Sequence, residues 1–416
     1  MRFTSTCATV LAIAGISATS GLANANEIDE VRQQIKALQA RLDQMADTKV
    51  KAATDNPILA TSGTSFNLSG FVQLDAIQDV RGNQGAEVYM AGLPLSGTGA
   101  GERRNTTTFS IRTSRLNLQT AFPVADTTVK TRFEFDFFTP EGSETYTNST
   151  RPRVRHLYGE VDNWLVGQTW STFMDLGSLP DLLEFAGPSG QSFIRQQMIR
   201  YTFPLGHGNS LAVAVENPES DTRDANGRAT PLDRGPDLAA NWTIIRDWGH
   251  VSLRGLVRPL RADDGTGRNQ ASATGWVAGF AGTYKLGSAS SLIYQVNAGK
   301  GAGRYIMGAN PSGAYAASPA DLSAQQSAGG FIGLQHNWAN QARSTIVLSG
   351  TENDNEGGFG STSNLNKRTR EVHANYIWAP YKQVDVGLEY IWGFREQEDG
   401  QKGYLSRLQA SARVSF

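Results

Sequence analysis

The chain has 416 residues, with 38 basic and 39 acidic side chains, 44 glycines, 9% aromatic residues and a single cysteine. So even a charge balance shows no basic bias towards nucleic acid, and one cysteine excludes a disulfide framework. Beyond the N-terminus no stretch approaches 18 consecutive apolar residues, which excludes helical membrane spans and leaves strands, whose lipid face needs only every second residue.

Residues 1–25 read as an export signal: Arg2 supplies the positive end, 8–18 (ATVLAIAGISA) the short apolar region, and Ala23-Asn24-Ala25 an A-x-A cleavage site. Cys7 falls inside that signal and before the end of its apolar region, so no lipid-anchoring cysteine is expected. Residues 26–47 carry a heptad, with Ile28, Ile35 and Leu42 at a and Val31, Leu38 and Met45 at d. Helices this short are marginal alone, so a coiled coil here needs another element to hold the chains together. A lone amphipathic helix packed on the body is the alternative. Residues 48–64 form a linker without periodicity.

From residue 65 onward the helical period gives way to strict alternation. The stretch 128–138 sets Val129, Thr131, Phe133, Phe135 and Phe137 against Lys130, Arg132, Glu134 and Asp136. Successive strand residues point to opposite faces. Either the aromatic face is the core of a soluble sandwich, or it meets lipid while the charges face a water-filled lumen. Sixteen candidate strands follow: 65–77, 107–121, 128–138, 152–161, 163–170, 195–203, 209–216, 237–246, 249–258, 274–286, 290–299, 328–338, 343–352, 369–379, 384–395 and 404–416. The alternation changes phase within 107–121 and 152–161, which calls for β-bulges.

The connections choose between the two readings. Short turns at 122–127, 162–163, 204–208, 247–248, 287–289, 339–342 and 380–383 alternate with longer segments, among them 78–106, 171–194, 217–236, 300–327 and 353–368. That rhythm belongs to an up-and-down membrane barrel with short periplasmic turns and long outward loops. The expected fold is therefore all-β: a sixteen-stranded antiparallel transmembrane β-barrel over 65–416, behind a short N-terminal coiled-coil helix. An even strand number with a long first connection places both ends of the barrel, and the coiled coil, in the periplasm. Trp242, Trp276, Trp338, Trp378 and Trp392 lie near strand ends, where interfacial girdles form. The last strand ends on Phe416, in the manner of the recognition signal of outer-membrane barrels.

If the apolar faces meet lipid, the lumen receives Lys130, Arg132, Glu134 and Asp136, then Arg153, Arg155, Arg200, Arg254 and Arg258. Arg112 and Arg115 have opposite parity, so only one points inward unless a bulge intervenes. Arginine is always charged and its planar fork fits carboxylates, so such a lining would gather small anionic solutes and repel cations. The same side chains could instead pair inertly with Glu134, Asp136 and Glu160. Segment 171–194 is unusually apolar for an exposed loop, with Phe173, Leu176, Leu182, Phe185 and Phe193. Folding inward would make it the constriction, with Asp175, Asp181 and Glu184 set against the arginine wall as a transverse field. A cap at a subunit contact is the alternative. Catalysis finds no support: no G-x-S-x-G, H-E-x-x-H or paired-cysteine motif accompanies the five histidines. Asp221, Asp224 and Asn226, like Asp263 and Asp264, suit solvated turns as well as a cation loop. No enzyme activity, cofactor or metal is expected.

The segments FNLSGFVQLDAIQD, KTRFEFDFF, RVRHLYGEV, LVGQTWSTFMDL, LPDLLEFAGPSG and RQQMIRYTF, behind a short heptad helix, resemble the DcaP-like (dicarboxylic acid porin) family along essentially the whole chain after the signal. That resemblance implies a homotrimeric sixteen-stranded porin in the outer membrane of a Gram-negative bacterium, with a periplasmic coiled coil, embedded in lipid and passing small anions such as dicarboxylates. It implies pore-lining roles for Arg112, Arg115, Arg132, Arg153, Arg155 and Arg200, and makes 171–194 the inward third loop. The competing readings are a phosphate-type channel, a coiled-coil tether to the cell wall, and an outer-membrane hydrolase, which would need a Ser/His pair.

Overall fold

The computed structural model describes residues 63–416 apart from 141–143, 225–229, 265, 267–269, 319–320 and 356–363. The signal, the coiled-coil positions from Ile28 to Met45 and nearly all of the linker lie outside the described residues. The alternating stretches become strands in chain order. These are β1 (Ser65–Arg81), β2 (in two pieces, Arg104–Ser110 and Arg115–Val124), β3 (Thr127–Pro140), β4 (Thr150–Val161) and β5 (Trp164–Trp170). Next come β6 (Arg195–Gly206), β7 (Asn209–Glu216), β8 (Asp237–Arg246), β9 (Gly249–Asp263), β10 (Gln270–Leu286) and β11 (Ser290–Lys300). The last five are β12 (Gln326–Asn337), β13 (Ala342–Asp354), β14 (Asn366–Tyr381), β15 (Val384–Gln397) and β16 (Lys402–Ser415).

Each strand pairs antiparallel with its sequence neighbours. The last returns to the first, from Phe71↔Ser415 to Arg81↔Ser406, and Gly70 and Phe416 exchange both backbone hydrogen bonds at 3.0 Å. Closure leaves no edge carrying unpaired backbone groups, the condition for crossing a bilayer with strands. The aromatic C-terminal strand is thus the closing strand of a sixteen-stranded barrel.

The faces are inverted relative to a soluble protein. On β9, Leu253 and Val257 are 42% and 49% exposed, whereas Arg254 and Arg258, each the next residue along, are 4% and 0%. Apolar side chains stand outward on every wall. Trp338 and Trp378 lie near the short-turn end of this band, and Trp276 and Trp392 towards the other end, all of them exposed. Short turns need unusual backbone: His207 and Gly208, between β6 and β7, both sit at positive φ (49° and 72°), as a tight two-residue hairpin requires.

Both phase changes are bulges. Between Phe71↔Arg115 and Asp75↔Ser110 the β2 strand holds one residue more than β1. Ser114 Oγ substitutes for the ladder there, accepting from Gln73 N at 3.0 Å and donating to Gln73 O at 3.2 Å. On β4, Glu134↔His156 is followed by Phe135↔Val154, so Arg155 is the extra residue. The strands also run past their expected limits at the long-connection end: β1 and β2 pair out to Arg81↔Arg104, and β9 and β10 to Asp263↔Gln270. Pairing there continues beyond the lipid, where no apolar face is required and the alternation signal fades.

Three long connections fill much of the interior. Segment 82–103 packs Val88, Met90 and Leu93 on Ile391 and Leu405 of β15 and β16. Segment 301–325 sends Tyr305 and Ile306 against Phe173 of segment 171–194 and against Ala239, Leu256 and Val277 of β8, β9 and β10. Thr222–Asp224, Ala314–Ser318 and Asp321–Ala324 form a small separate sheet, with Ala314, Ala316 and Leu322 packed on Leu260, Ala262 and Ala271 of β9 and β10. The strands β2 to β6 make the wall that these segments leave most open.

Candidate functional site

That wall carries a dense cluster of guanidiniums, and its local register puts them there. Alternation on β3 turns Arg132, Glu134 and Asp136 inward. The bulge on β4 lets two successive residues, Arg155 and His156, both be buried, which regular alternation forbids. The bulge on β2 resets the phase so that Arg115 follows Ser110 to the inner side. Within the cluster Arg132 bonds Glu134 (2.6 Å) and Asn117 (2.9 Å), while Arg153 grips Asp136 with two hydrogen bonds of 2.8 Å. Arg155 bridges the two acids, at 2.6 Å to Glu134 and 3.0 Å to Asp136. His156 Nδ1 lies 2.9 Å from Thr169 Oγ1.

Segment 171–194 crosses in front of this cluster and is tied to the opposite wall strand by strand. Ser189 donates its amide (2.8 Å) and hydroxyl (2.9 Å) to Glu371 of β14. Ser192 N bonds Gln295 of β11 (2.7 Å), and Gln409 of β16 reaches Leu183 O (3.1 Å). His373 sits between Glu389 (2.7 Å) and Glu371 (3.2 Å), completing a buried polar anchor. The segment therefore folds inward.

The face it presents to the arginines is aromatic rather than acidic. Phe185 lies 5.8, 5.5 and 5.4 Å from the guanidinium carbons of Arg115, Arg153 and Arg155. Trp170, at the end of β5, lies 5.4 Å from Arg155 and 4.6 Å from Arg195. Phe138, Phe185, Phe193 and Trp170 form a continuous run of ring contacts at 4.1, 6.0 and 4.9 Å. Rings this close to guanidiniums fix their planes by cation–π attraction and stacking. Between wall and segment lies a cavity of about 450 Å³, bordered by Arg115, Arg132, Arg155, Arg200, Glu134, Glu184, Trp170, Phe185 and Phe193.

The sequence-derived candidates divide accordingly. Arg115, Arg132, Arg155 and Arg200 meet at this cavity, and Arg153 stands beside it. Lys130 is further towards the short turns, where with Arg132, Glu160, Gln119 and Asn67 it borders a second hollow of about 360 Å³. Arg112 is not with them: it stands in the break of β2, in a depression bordered by the outward-facing Leu74, Phe109 and Ile111. Arg254 and Arg258 do point off the lipid face but are covered. Arg254 donates to Phe173 O at 2.8 Å. Arg258 bonds Asp221 (2.9 Å) and the carbonyls of Glu219, Gly301 and Ala302. They hold the inward segments to the wall.

The expected acidic face is corrected in the same way. Asp175 is tied to His250 at 2.9 Å, and Asp181 to Arg343, both away from the arginine cluster. Glu184 does border the cavity, but its carboxylate accepts from the amides of Val88 and Gly187, both at 2.8 Å. Burial pushes this loop carboxyl up to about 7, against the pull of the Val88 amide. The acids that neighbour the arginines are Glu134 and Asp136, from the wall itself. Asp221, part of a candidate cation loop, is instead the partner of Arg258. Among the described residues no group of three or more His, Cys, Asp or Glu could hold a metal ion. A Ser/His contact exists at Ser290 and His336 (2.8 Å), at the short-turn end, with His336 against Trp338 and no carboxylate bonded to it among the described residues.

Sequence reasoning missed Arg195, Trp170 and the inward packing of 82–103 and 301–325. Strand parity groups Arg195 with the outward Gln197 and Ile199, but β6 begins here and the wall turns into the inward segment. The clusters Val88-Tyr89-Met90 and Tyr305-Ile306-Met307, in otherwise Gly-rich loops, were the available signal.

Residues 26–416 match the family model of the DcaP outer membrane protein. No curated protein matches the chain. Among solved structures, the outer membrane channel DcaP of Acinetobacter baumannii is similar at 25% identity and a TM-score of 0.76, over 86% of this chain and 99% of that one. The anion-selective porin from Comamonas acidovorans (12%, TM-score 0.57, 85% and 100% covered) and Salmonella typhi OmpF in complex with daunomycin (11%, TM-score 0.58, 85% and 98% covered) share the fold.

Proposed function

The chain belongs to the DcaP outer membrane protein family, and on that footing we propose that it is a passive channel through the outer membrane for small anionic solutes such as dicarboxylates. One observation carries the reading: four arginines border the cavity between the wall and segment 171–194 with only two carboxylates, Glu134 and Glu184. Fixed positive charge at a narrow, low-dielectric passage raises the local concentration of anions and repels cations without tight binding. The second hollow, with Lys130 and Arg132, continues that charge towards the short-turn end. Arg153 supports the field from beside the cavity.

The rest of the chain fits this role. We propose cleavage of 1–25, a periplasmic coiled coil over 26–47, a linker over 48–64 and assembly as a homotrimer. The heptad supports the coiled coil, and strand parity supports its side of the membrane. Deleting 26–47 leaves the conductance of each barrel intact on this reading, whereas a cell-wall tether would lose its role.

The test is the reversal potential of the refolded full chain in a planar bilayer under a KCl gradient. Chloride preference is expected, moved towards cations by Arg132→Ala. Cation preference in the wild type overturns the anion reading, and absence of conductance overturns the channel.

A further inference from the structure

The outer face of β14, β15, β16 and β1 changes character at its long-connection end. Towards the short turns, Leu388, Tyr390, Trp392 and Leu408 form an exposed apolar surface for lipid. Beyond them, Arg368 and Arg370 on β14 alternate with the buried Thr369 and Glu371. On β16, Lys402 and Tyr404 alternate with the buried Gly403 and Leu405. These cations therefore stand outside the barrel, away from the passage. Arg81 reaches the same rim from β1, its guanidinium carbon 4.3 Å from the centre of the Tyr404 ring. From Phe71, paired with Ser415 at the short-turn end, to Arg81 the tilted strand rises about 25 Å. That is the height of the apolar band of such barrels, so Arg81 marks its outer edge.

Much of the charge on this rim is answered locally. Arg368 bonds Glu396 (2.6 Å), Arg370 is paired with Glu352, and Arg104 bonds Glu102 (3.0 Å). Arg81 and Lys402 differ, because neither makes an ion pair among the described residues. Arg81 donates to Ser96 Oγ at 3.0 Å. Lys402 is exposed and lies across from Glu396, which Arg368 already holds. Glu102, whose charge reaches Arg81, is taken up by Arg104 and by the amide of Gly97 (2.9 Å). Behind Arg81, inside the barrel, Asp79 is gripped by Arg407 at 2.7 and 3.0 Å. Tyr404 adjoins both cations, with Lys402 two residues back on the same face and Phe394 stacked 5.4 Å away.

We infer that Arg81, Lys402 and Tyr404 form a docking site for the phosphate headgroup of a lipid in the outer leaflet. A guanidinium lying on a ring keeps its N–H edge free, and with an ammonium beside it the pair suits phosphate oxygens. Cations at a membrane surface attract anionic headgroups by about 1 kcal/mol each, and a tyrosine at headgroup level is the usual interfacial anchor. The apolar surface of Trp392, Tyr390 and Leu408 runs on directly from the two cations. That continuity favours a lipid, whose chains lie along it, over a free anion. The site is separate from the solute passage, so it stands apart from the anion-channel reading.

The experiment is native mass spectrometry of the refolded full chain in detergent, titrated with dioleoyl phosphatidic acid or dioleoyl phosphatidylcholine. Wild type is expected to retain phosphatidic acid at the lower concentration. Arg81→Gln and Lys402→Gln should each raise its half-saturating concentration about fivefold. Lys382→Gln, in an exposed short turn at the opposite end, should leave it unchanged. Excess inorganic phosphate should not displace the lipid. All three substitutions lie on the outer surface, and heat-modifiable mobility reports an intact barrel. Equal retention of the two lipids by wild type, an equal effect at Lys382, or displacement by inorganic phosphate overturns the inference. So does loss of the oligomer in the Arg81 or Lys402 variant with lipid retention unchanged, which would make this rim a contact between copies.

Discussion

The ring of Phe185 lies 5.4 Å from the guanidinium carbon of Arg155, joining the tip of the inward segment to the charged wall across the passage. The same ring touches Phe138 and Phe193 and faces Arg115 and Arg153. It therefore sets the width of the passage while leaving the charges to others. Phe185→Ala should raise single-channel conductance in KCl and leave the reversal potential close to wild type. Loss of the cation–π contacts should cost about 1–2 kcal/mol of stability. Planar-bilayer recording and the denaturation midpoint check both; an unchanged conductance would place the constriction elsewhere.

Arg155 is the structural centre of the cluster. It is 2% exposed and bridges Glu134 and Asp136, themselves buried. Removing one partner of a buried ionic network strands the others, at about 3–5 kcal/mol. Arg155→Gln should therefore lower the denaturant midpoint sharply. Arg132→Gln should cost about 1 kcal/mol, because Glu134 keeps Arg155 and Arg132 is partly open to water. Equal effects of the two would contradict the bridging role.

The fold was legible because lipid imposes a period-two rule on nearly every strand: Leu253 and Val257 against Arg254 and Arg258 is one such signal, repeated around the barrel. The bulges were legible too, as changes of phase near Arg112 and Arg155. What alternation cannot convey is what covers an inward residue. Arg254 and Arg132 look alike on their strands, yet one lies beneath Phe173 and the other borders the cavity. That difference is made by segments 82–103, 171–194 and 301–325, whose paths depend on tertiary contacts such as Ser189 with Glu371. The same gap explains the acids of 171–194. Their number was visible, but not that His250 and Arg343 would claim Asp175 and Asp181.

Arg254 and Arg258 provide a direct check on that distinction. Both are buried and bonded to the inward segments rather than open to the passage. Arg254→Gln should leave the reversal potential at the wild-type value, whereas Arg132→Gln moves it towards cations. Arg258→Gln takes the guanidinium from Asp221 (2.9 Å), while Asp237, 3.6 Å from Arg258, keeps Arg304 (3.1 Å) and Tyr305 (2.8 Å). The substitution should destabilise by about 3 kcal/mol, with protease sensitivity appearing in 217–236 and 301–325. A selectivity shift at Arg254 comparable to that at Arg132 would return it to the pore lining.

Glu184 makes the channel's selectivity depend on pH near neutrality. Burial pushes its carboxyl up to about 7, so it takes up a proton as the pH falls from 8 to 6. The cavity then loses a negative charge while its arginines stay charged. Chloride preference should rise on acidification, and Glu184→Gln should hold the preference at its acid value at both pH values. The linked stability has a definite sign. The folded-state pKa lies above the ordinary 4.5, so the contribution is complete below about 4.5 and is lost as the pH rises through about 7. Wild type should accordingly unfold at lower denaturant at pH 8 than at pH 6, and Glu184→Gln should narrow that gap. A reversal potential that moves equally with pH in wild type and Glu184→Gln would assign the titration to another group.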